Sequence, residues 1–73
     1  MEYRDIRSRI KDLGVSSKYI IKLIYIEKGE KISEAQFSSA INRASGLRQP
    51  REVQIVKLAE AILDKLEAER RKD

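Results

Sequence analysis

Residues 32–44 read ISEAQFSSAINRA, and this stretch contains the clearest helix start in the chain. Ser33 and Gln36 stand at the spacing of a capping box, in which each side chain bonds the backbone N–H of the other residue. Ile32 and Phe37 occupy the two positions of a hydrophobic staple, which fixes how the chain enters the helix. The pattern predicts a helix that begins at Ser33 and runs to about Arg43.

The apolar residues of this predicted helix define one face of it. At 100° per residue they turn toward a core together, and the remaining residues fall on the opposite side. The inward residues are Phe37, Ala40, Ile41 and Ala44. The outward residues are Ala35, Ser38, Ser39 and Asn42, with Gln36 and Arg43 at one edge.

This outward face has an unusual composition for a helix surface, because solvated helices usually carry several Glu and Lys side chains. Small residues allow a flat partner to approach the backbone closely. Amide side chains match the adenine edge in the major groove of DNA, Arg matches guanine, and Ser or Ala can contact any base. The face therefore favours a role in reading double-stranded DNA, with a protein contact or an idle surface as the alternatives.

The segments before this helix predict two further helices. Residues 3–13 carry an apolar stripe that ends before Gly14, a suitable left-handed cap. Ser16 or Ser17 can cap a second helix. Residues 19–26 are so rich in β-branched side chains that a strand, paired through a hairpin at residues 27–31, remains open.

The segment after it predicts a loop and a long last helix. Ser45 and Gly46 are the expected helix stop, and Pro50 opens a helix that runs to about Arg70. The expected architecture is therefore an all-α, compact four-helix domain with a long C-terminal helix.

The composition sets limits on function. A chain of 73 residues forms one domain, residues 1–73, with a small core. The absence of Cys and His excludes disulfides, thiolate chemistry and a histidine base, and no acidic cluster has calcium-loop spacing. Sixteen basic and twelve acidic residues give a net charge of +4, which is compatible with phosphate partners. We expect a non-enzyme without cofactor, metal or evident small-molecule ligand.

The chain offers no apolar run of the length that a membrane span requires. Glu2, Arg4 and Asp5 occupy the place where a signal peptide would have an apolar core. We therefore expect a soluble, cytoplasmic protein that makes no membrane contact.

The order of these features resembles the lambda-repressor/Cro-type helix-turn-helix domains of phage repressors, over about residues 6–66. The features are Gly14, the serine cap that follows it, the inward Phe37 and Ile41, and the loop 42–50 with Gly46, Arg48 and Pro50. The resemblance implies a transcriptional regulator of phage or mobile-element type, which binds DNA as a dimer at palindromic half-sites.

One departure from that family concerns the second helix. The family carries a small residue about ten positions before the first inward residue of the recognition helix, followed by a tight glycine turn. Glu27 stands at that position here. Residues 25–31 therefore predict an enlarged turn or an extended second helix, with room for a wing-like hairpin or a protein partner.

These considerations assign expected roles to individual residues, with residues 33–43 in the major groove. The expected base contacts are Gln36, Ser38, Ser39, Asn42 and Arg43. The expected phosphate contacts are Lys18, Ser33, Arg48 and Arg51. The apolar stripe of the last helix extends beyond the need of a small core, so a homodimer interface is expected at Ile62, Leu63 and Leu66. Packing of these three residues within the protomer is the alternative.

The competing function is a protein-interaction module, such as an antirepressor, an inhibitor or an adaptor, on the same helical fold. The modest net charge and the enlarged segment 25–31 support it.

Overall fold

A computed structural model describes residues 6–71, except for the side chains of Ser45 and Arg71. It contains four α-helices and one short 3-10 turn, and it contains no strand within the described residues. The helices are α1 (Ile6–Leu13), α2 (Ser17–Lys28), α3 (Glu34–Asn42) and α4 (Pro50–Arg71), and the 3-10 turn is Ser45–Leu47. The expected all-α, four-helix class is confirmed. The expected start of the first helix at Tyr3 lies outside the described residues.

The junction between α1 and α2 follows local capping rules. Gly14 adopts a left-handed conformation with φ of 72°. The Val15 N–H reaches back to the Ile10 carbonyl at 3.4 Å, which closes the C-terminal turn of α1. Ser16 then caps α2, because its hydroxyl oxygen accepts the Tyr19 backbone N–H at 3.2 Å.

Helix α2 is longer than the segment that the sequence favoured. It continues through Lys28 and ends at Gly29, whose φ is 69° and whose N–H donates to the Tyr25 carbonyl at 3.0 Å. Ile20 and Ile24 are fully buried. Residues 19–31 thus form a helix followed by a loop, and the hairpin alternative is wrong. Of the two alternatives for residues 25–31, an enlarged turn or an extended second helix, the structure shows the extended helix.

The start of α3 confirms the predicted capping box. The Ser33 hydroxyl oxygen accepts the Gln36 backbone N–H, and the Gln36 amide oxygen accepts the Ser33 backbone N–H, both at 3.1 Å. Ile32 and Phe37, the two staple residues, are buried on the core side.

Helix α3 ends at Asn42, with Arg43 as an extended C-cap, which confirms the predicted end at about Arg43. Ser45 and Gly46 do not form the cap that the sequence predicted. Gly46 has no positive φ and lies in the 3-10 turn. The Arg48 side chain instead closes this end of the helix, because its Nε donates to the Ala40 carbonyl at 2.8 Å.

Helix α4 forms one side of the core and contacts each of the other three helices. Its Ile55, Val56, Ala59, Ile62 and Leu63 are all buried. The prediction that Ile62 and Leu63 pair two copies is therefore wrong, because their exposed fractions are 1% and 0% within the protomer.

Leu66, the third residue predicted for the dimer interface, is only half-buried. It packs on the edge of the core, in a shallow surface depression that it shares with Leu13, Val15 and Tyr19. Its predicted part in a dimer interface stays a prediction.

Ion pairs fasten the outer edges of α4 to its neighbours. Arg9 of α1 donates through Nε and Nη2 to the two carboxylate oxygens of Glu67, at 3.1 and 2.8 Å. This bond raises the pKa of Arg9 above its ordinary value, against the opposing effect of burial. On the other side, Lys65 donates to Glu27 of α2 at 2.8 Å. No described helix has both the length and the apolar character to cross a membrane.

Candidate nucleic-acid interface

The outward face of α3 is exposed as the helical arithmetic predicted. Phe37, Ala40 and Ile41 are buried as expected, whereas Ala44, also expected to point inward, is exposed beyond the end of the helix. Helix α3 carries a single charged residue, Glu34. The exposed residues of the helix are Glu34, Ala35, Gln36, Ser38, Ser39 and Asn42. We call the set Ala35, Ser38, Ser39 and Asn42 the α3 outer face. It offers hydroxyl and amide groups on a smooth surface that another macromolecule can approach closely.

Asn42 keeps most of its hydrogen-bonding capacity on this face. Its Nδ2 donates to the Ser38 hydroxyl at 3.0 Å, one turn earlier. The second N–H of the amide and the Oδ1 atom have no hydrogen bond to a described residue. Ser39 also lacks a side-chain partner among the described residues. Both side chains can therefore take part in a new contact without losing a bond within the fold.

Gln36 is less available than the sequence suggested. Its amide oxygen is held by the capping box, which leaves only its N–H groups for a partner. A bidentate contact with adenine needs the oxygen as well, so it would open the start of α3. Gln36 can serve as a single donor while the helix cap stays intact.

Arg43 lies at the far end of the α3 outer face and is held by α4. Its Nε lies 3.1 Å from one carboxylate oxygen of Glu52, and its side chain remains 47% exposed. Glu52 also accepts the backbone N–H of Gln49 at 2.9 Å. That bond, followed by the charge of Arg43, lowers the pKa of Glu52 below its ordinary value. Glu52 thus remains ionised at neutral pH and orients Arg43 beside the face.

The structure assigns internal roles to two of the residues expected to contact phosphates. Ser33 uses its hydroxyl as the cap of α3. Arg48 is half-buried and caps the other end of the same helix through Nε. Both residues therefore position α3, and their expected phosphate contacts stay predictions.

The other two residues expected to contact phosphates remain accessible. Lys18 has an 80% exposed side chain and lies 3.6 Å from Glu34, so the starts of α2 and α3 are adjacent. Arg51 is partly exposed at the start of α4, where it contacts Glu30 at 3.3 Å and Gln54 at 2.8 Å.

The fold brings two further cations, which the sequence did not indicate, to the α3 outer face. Arg7 and Lys11 lie one turn apart on α1, and they line the same open groove as Ser38 and Asn42. Neither cation has an ion pair with a described residue. Their spacing on α1 is visible in the sequence, but only the packing of α1 against α3 shows which surface they border.

A second groove borders the opposite side of the α3 outer face. Its lining includes Ala35 and Ser39 of α3 together with Gln49 and Arg51. The α3 outer face is therefore flanked by Arg7 and Lys11 on one side and by Arg51 on the other, and each groove also contains one acid, Glu34 in the first and Glu52 in the second. Among the described residues, no group of three or more carboxylates is arranged to hold a metal ion.

The cations on the two sides of α3 match the chemistry of a polyanion in which two charged edges flank a central groove. An α-helix with its side chains is about 10–12 Å in diameter, and the major groove of B-DNA is about 12 Å wide. Phosphates of the two strands border that groove, as the cations border α3 here. Comparison with protein-family models, curated proteins and solved structures found no match to this chain.

Proposed function

We propose that this chain binds double-stranded DNA in a sequence-specific manner and regulates transcription, as a phage-type repressor does. Helix α3 enters the major groove in this proposal. The observation that carries it is the α3 outer face, a row of small polar residues with cations on both sides. A homodimer on palindromic half-sites belongs to the same proposal, because the resemblance to Cro-type domains implies it. A cytoplasmic location, expected from the sequence, is also part of the proposal.

Base contacts are assigned to the side chains that the fold leaves available. Asn42 has its Oδ1 and one N–H for the edge of an adenine, and Ser38 and Ser39 lie one turn before it. Arg43, at the far end of the α3 outer face, can also contact a base if its side chain leaves Glu52. Gln36 contributes one donor from the start of the helix.

Phosphate contacts are assigned to the cations that border the two grooves. Arg7 and Lys11 serve one DNA strand, and Arg51 serves the other. Lys18, at the start of α2, is the fourth candidate. These contacts fix the position of α3 on the duplex but do not distinguish one base from another.

The proposal is tested by selecting a binding site from a pool of random duplexes and comparing variants on that site. Asn42→Ala is expected to lose about 1–3 kcal/mol on the selected site, because a bidentate base contact has that value. It should bind random duplex as the parent does. Lys11→Ala should weaken binding to both DNAs alike, and Lys57→Ala, an exposed lysine of α4, is the matched control.

Two results would reject the proposal. One is a selection that yields no enriched sequence. The other is an Asn42→Ala variant that loses as much affinity for random duplex as for the selected site, since a base contact cannot produce that pattern.

A further inference from the structure

The surface of α2 carries three exposed large apolar side chains, of which Tyr19 lies beside Leu66 in the shallow depression at the edge of the core. Tyr25 is 57% exposed and Ile26 is 63% exposed, and they are adjacent in the second half of the helix. Helical spacing places Lys22 beside both of them and Lys28 beside Tyr25. We call Lys22, Tyr25, Ile26 and Lys28 the α2 outer face, and all four residues are exposed.

The acidic residues of this segment point away from the α2 outer face. Glu27 is held by Lys65 of α4 at 2.8 Å, and Glu30 is held by Arg51 at 3.3 Å. Lys22 and Lys28 have no ion pair with a described residue. The surface around Tyr25 and Ile26 is thus basic, because α4 neutralises the acids that lie nearby in the sequence.

We infer that the α2 outer face is a docking site for an acidic, amphipathic segment of a partner protein. Apolar side chains of that segment cover Tyr25 and Ile26, and its carboxylates pair with Lys22 and Lys28. Charge complementarity selects this occupant. The inference does not rest on DNA binding, since it uses a different helix face.

The chemistry of the α2 outer face disfavours the other occupants. A second copy docked through a two-fold axis would bring lysines against lysines. DNA phosphates would attract the lysines but would leave Ile26 against a polar backbone. A membrane-surface helix buries a whole apolar face, whereas the exposed apolar residues of this helix, Tyr19, Tyr25 and Ile26, alternate with Lys18, Lys22 and Lys28.

The test is a titration of the ¹⁵N-labelled full chain, followed by NMR. The probe is a synthetic helical peptide with glutamates on one face and leucines on the other, and the control peptide has glutamine at each glutamate. Chemical-shift changes are expected around Lys22, Tyr25, Ile26 and Lys28, with weaker binding by the control peptide and weaker binding at high salt.

Variants distinguish binding at the α2 outer face from nonspecific binding of the peptide to exposed apolar residues. Tyr25→Ser combined with Ile26→Ser is expected to weaken peptide binding by about tenfold or more, because truncating a central aromatic contact has that effect. Its thermal melting should match the parent, because both side chains are exposed. Leu47→Ser, which alters an exposed apolar residue in the loop after α3, is the matched control and should bind as the parent does.

Several outcomes would overturn the inference. Peptide-induced chemical-shift changes confined to the groove of Ser38 and Asn42 would place the contact elsewhere. Equal binding of the glutamine peptide would show that the contact does not depend on charge. Self-association in sedimentation that Tyr25→Ser abolishes would assign the face to a second copy. Binding to phosphatidylserine–phosphatidylcholine vesicles without peptide binding would assign it to lipid. A loss of DNA affinity in Lys22→Gln equal to that of Lys11→Ala would assign it to DNA.

Discussion

Replacing Arg48 with alanine separates a structural role from a role in DNA binding. The Arg48 Nε donates to the carbonyl of Ala40, a residue with no exposed surface. Without the guanidinium, this carbonyl at the end of α3 loses its partner. A hydrogen bond from a charged donor contributes about 1.5–3 kcal/mol, and the lower part of that range applies to a half-buried arginine. We expect Arg48→Ala to lower the free energy of unfolding by about 2 kcal/mol.

The assay is thermal unfolding of the free protein, followed by circular dichroism. For a domain of this size, about 2 kcal/mol corresponds to a fall in Tm of about 8–16 °C. Arg7→Ala is the matched control, since Arg7 is an exposed arginine with no described ion pair, and its effect should stay within about 0.5 kcal/mol. An Arg48→Ala variant that melts within a degree or two of the parent would refute the capping role and return Arg48 to the phosphate contacts.

Three further predictions concern stability and pH. Arg9→Met should lower the free energy of unfolding, measured in urea, by about 1–2 kcal/mol, because the ion pair with Glu67 is partly buried and falls between exposed and buried salt bridges. A change below about 0.5 kcal/mol would contradict this expectation. Gly29→Ala should destabilise the fold by about 1–2 kcal/mol, because a left-handed Cβ is strained, whereas Gly46→Ala, without positive φ, should not. The lowered pKa of Glu52 means that its stabilisation is present above the unfolded-state pKa and is lost as pH falls through the folded-state value. The Tm difference between the parent and Glu52→Gln should therefore be largest at neutral pH and vanish in acid, and a difference independent of pH would refute the role of its charge.

Local chemistry was sufficient to predict most of the helix boundaries. Capping boxes and left-handed glycines act within four or five residues, so Ser33, Gln36 and Gly14 could be assigned from the sequence. The extent of α2 was harder to predict from the sequence, because Ile24 and Ile26 suit a strand as well as a helix. Burial of Ile24 in the core, where α2 packs on α4, favours the helix, and that packing is not visible in a local pattern.

The features of the candidate site that the sequence did not reveal all depend on tertiary contacts. Arg48 resembled a free cation because its partner is a backbone carbonyl eight residues away. Ile62 and Leu63 resembled surplus apolar surface because the apolar faces of three other helices cover α4. Arg7 and Lys11 were missed because only the packing of α1 places them beside Ser38 and Asn42. The outward residues of α3 were predicted well, since a single helix determines them.

The central claim, that α3 and its flanking cations bind DNA, is tested most directly by binding to random duplex DNA at several salt concentrations. The parent and the double variant Arg7→Ala/Lys11→Ala would be compared from about 50 to about 300 mM salt. We expect a steep fall of log affinity with log salt, and a slope that is smaller by about 1–2 in the double variant, because each lost phosphate contact removes about 0.9. No binding at the lowest salt concentration, or an unchanged slope in the double variant, would contradict the claim.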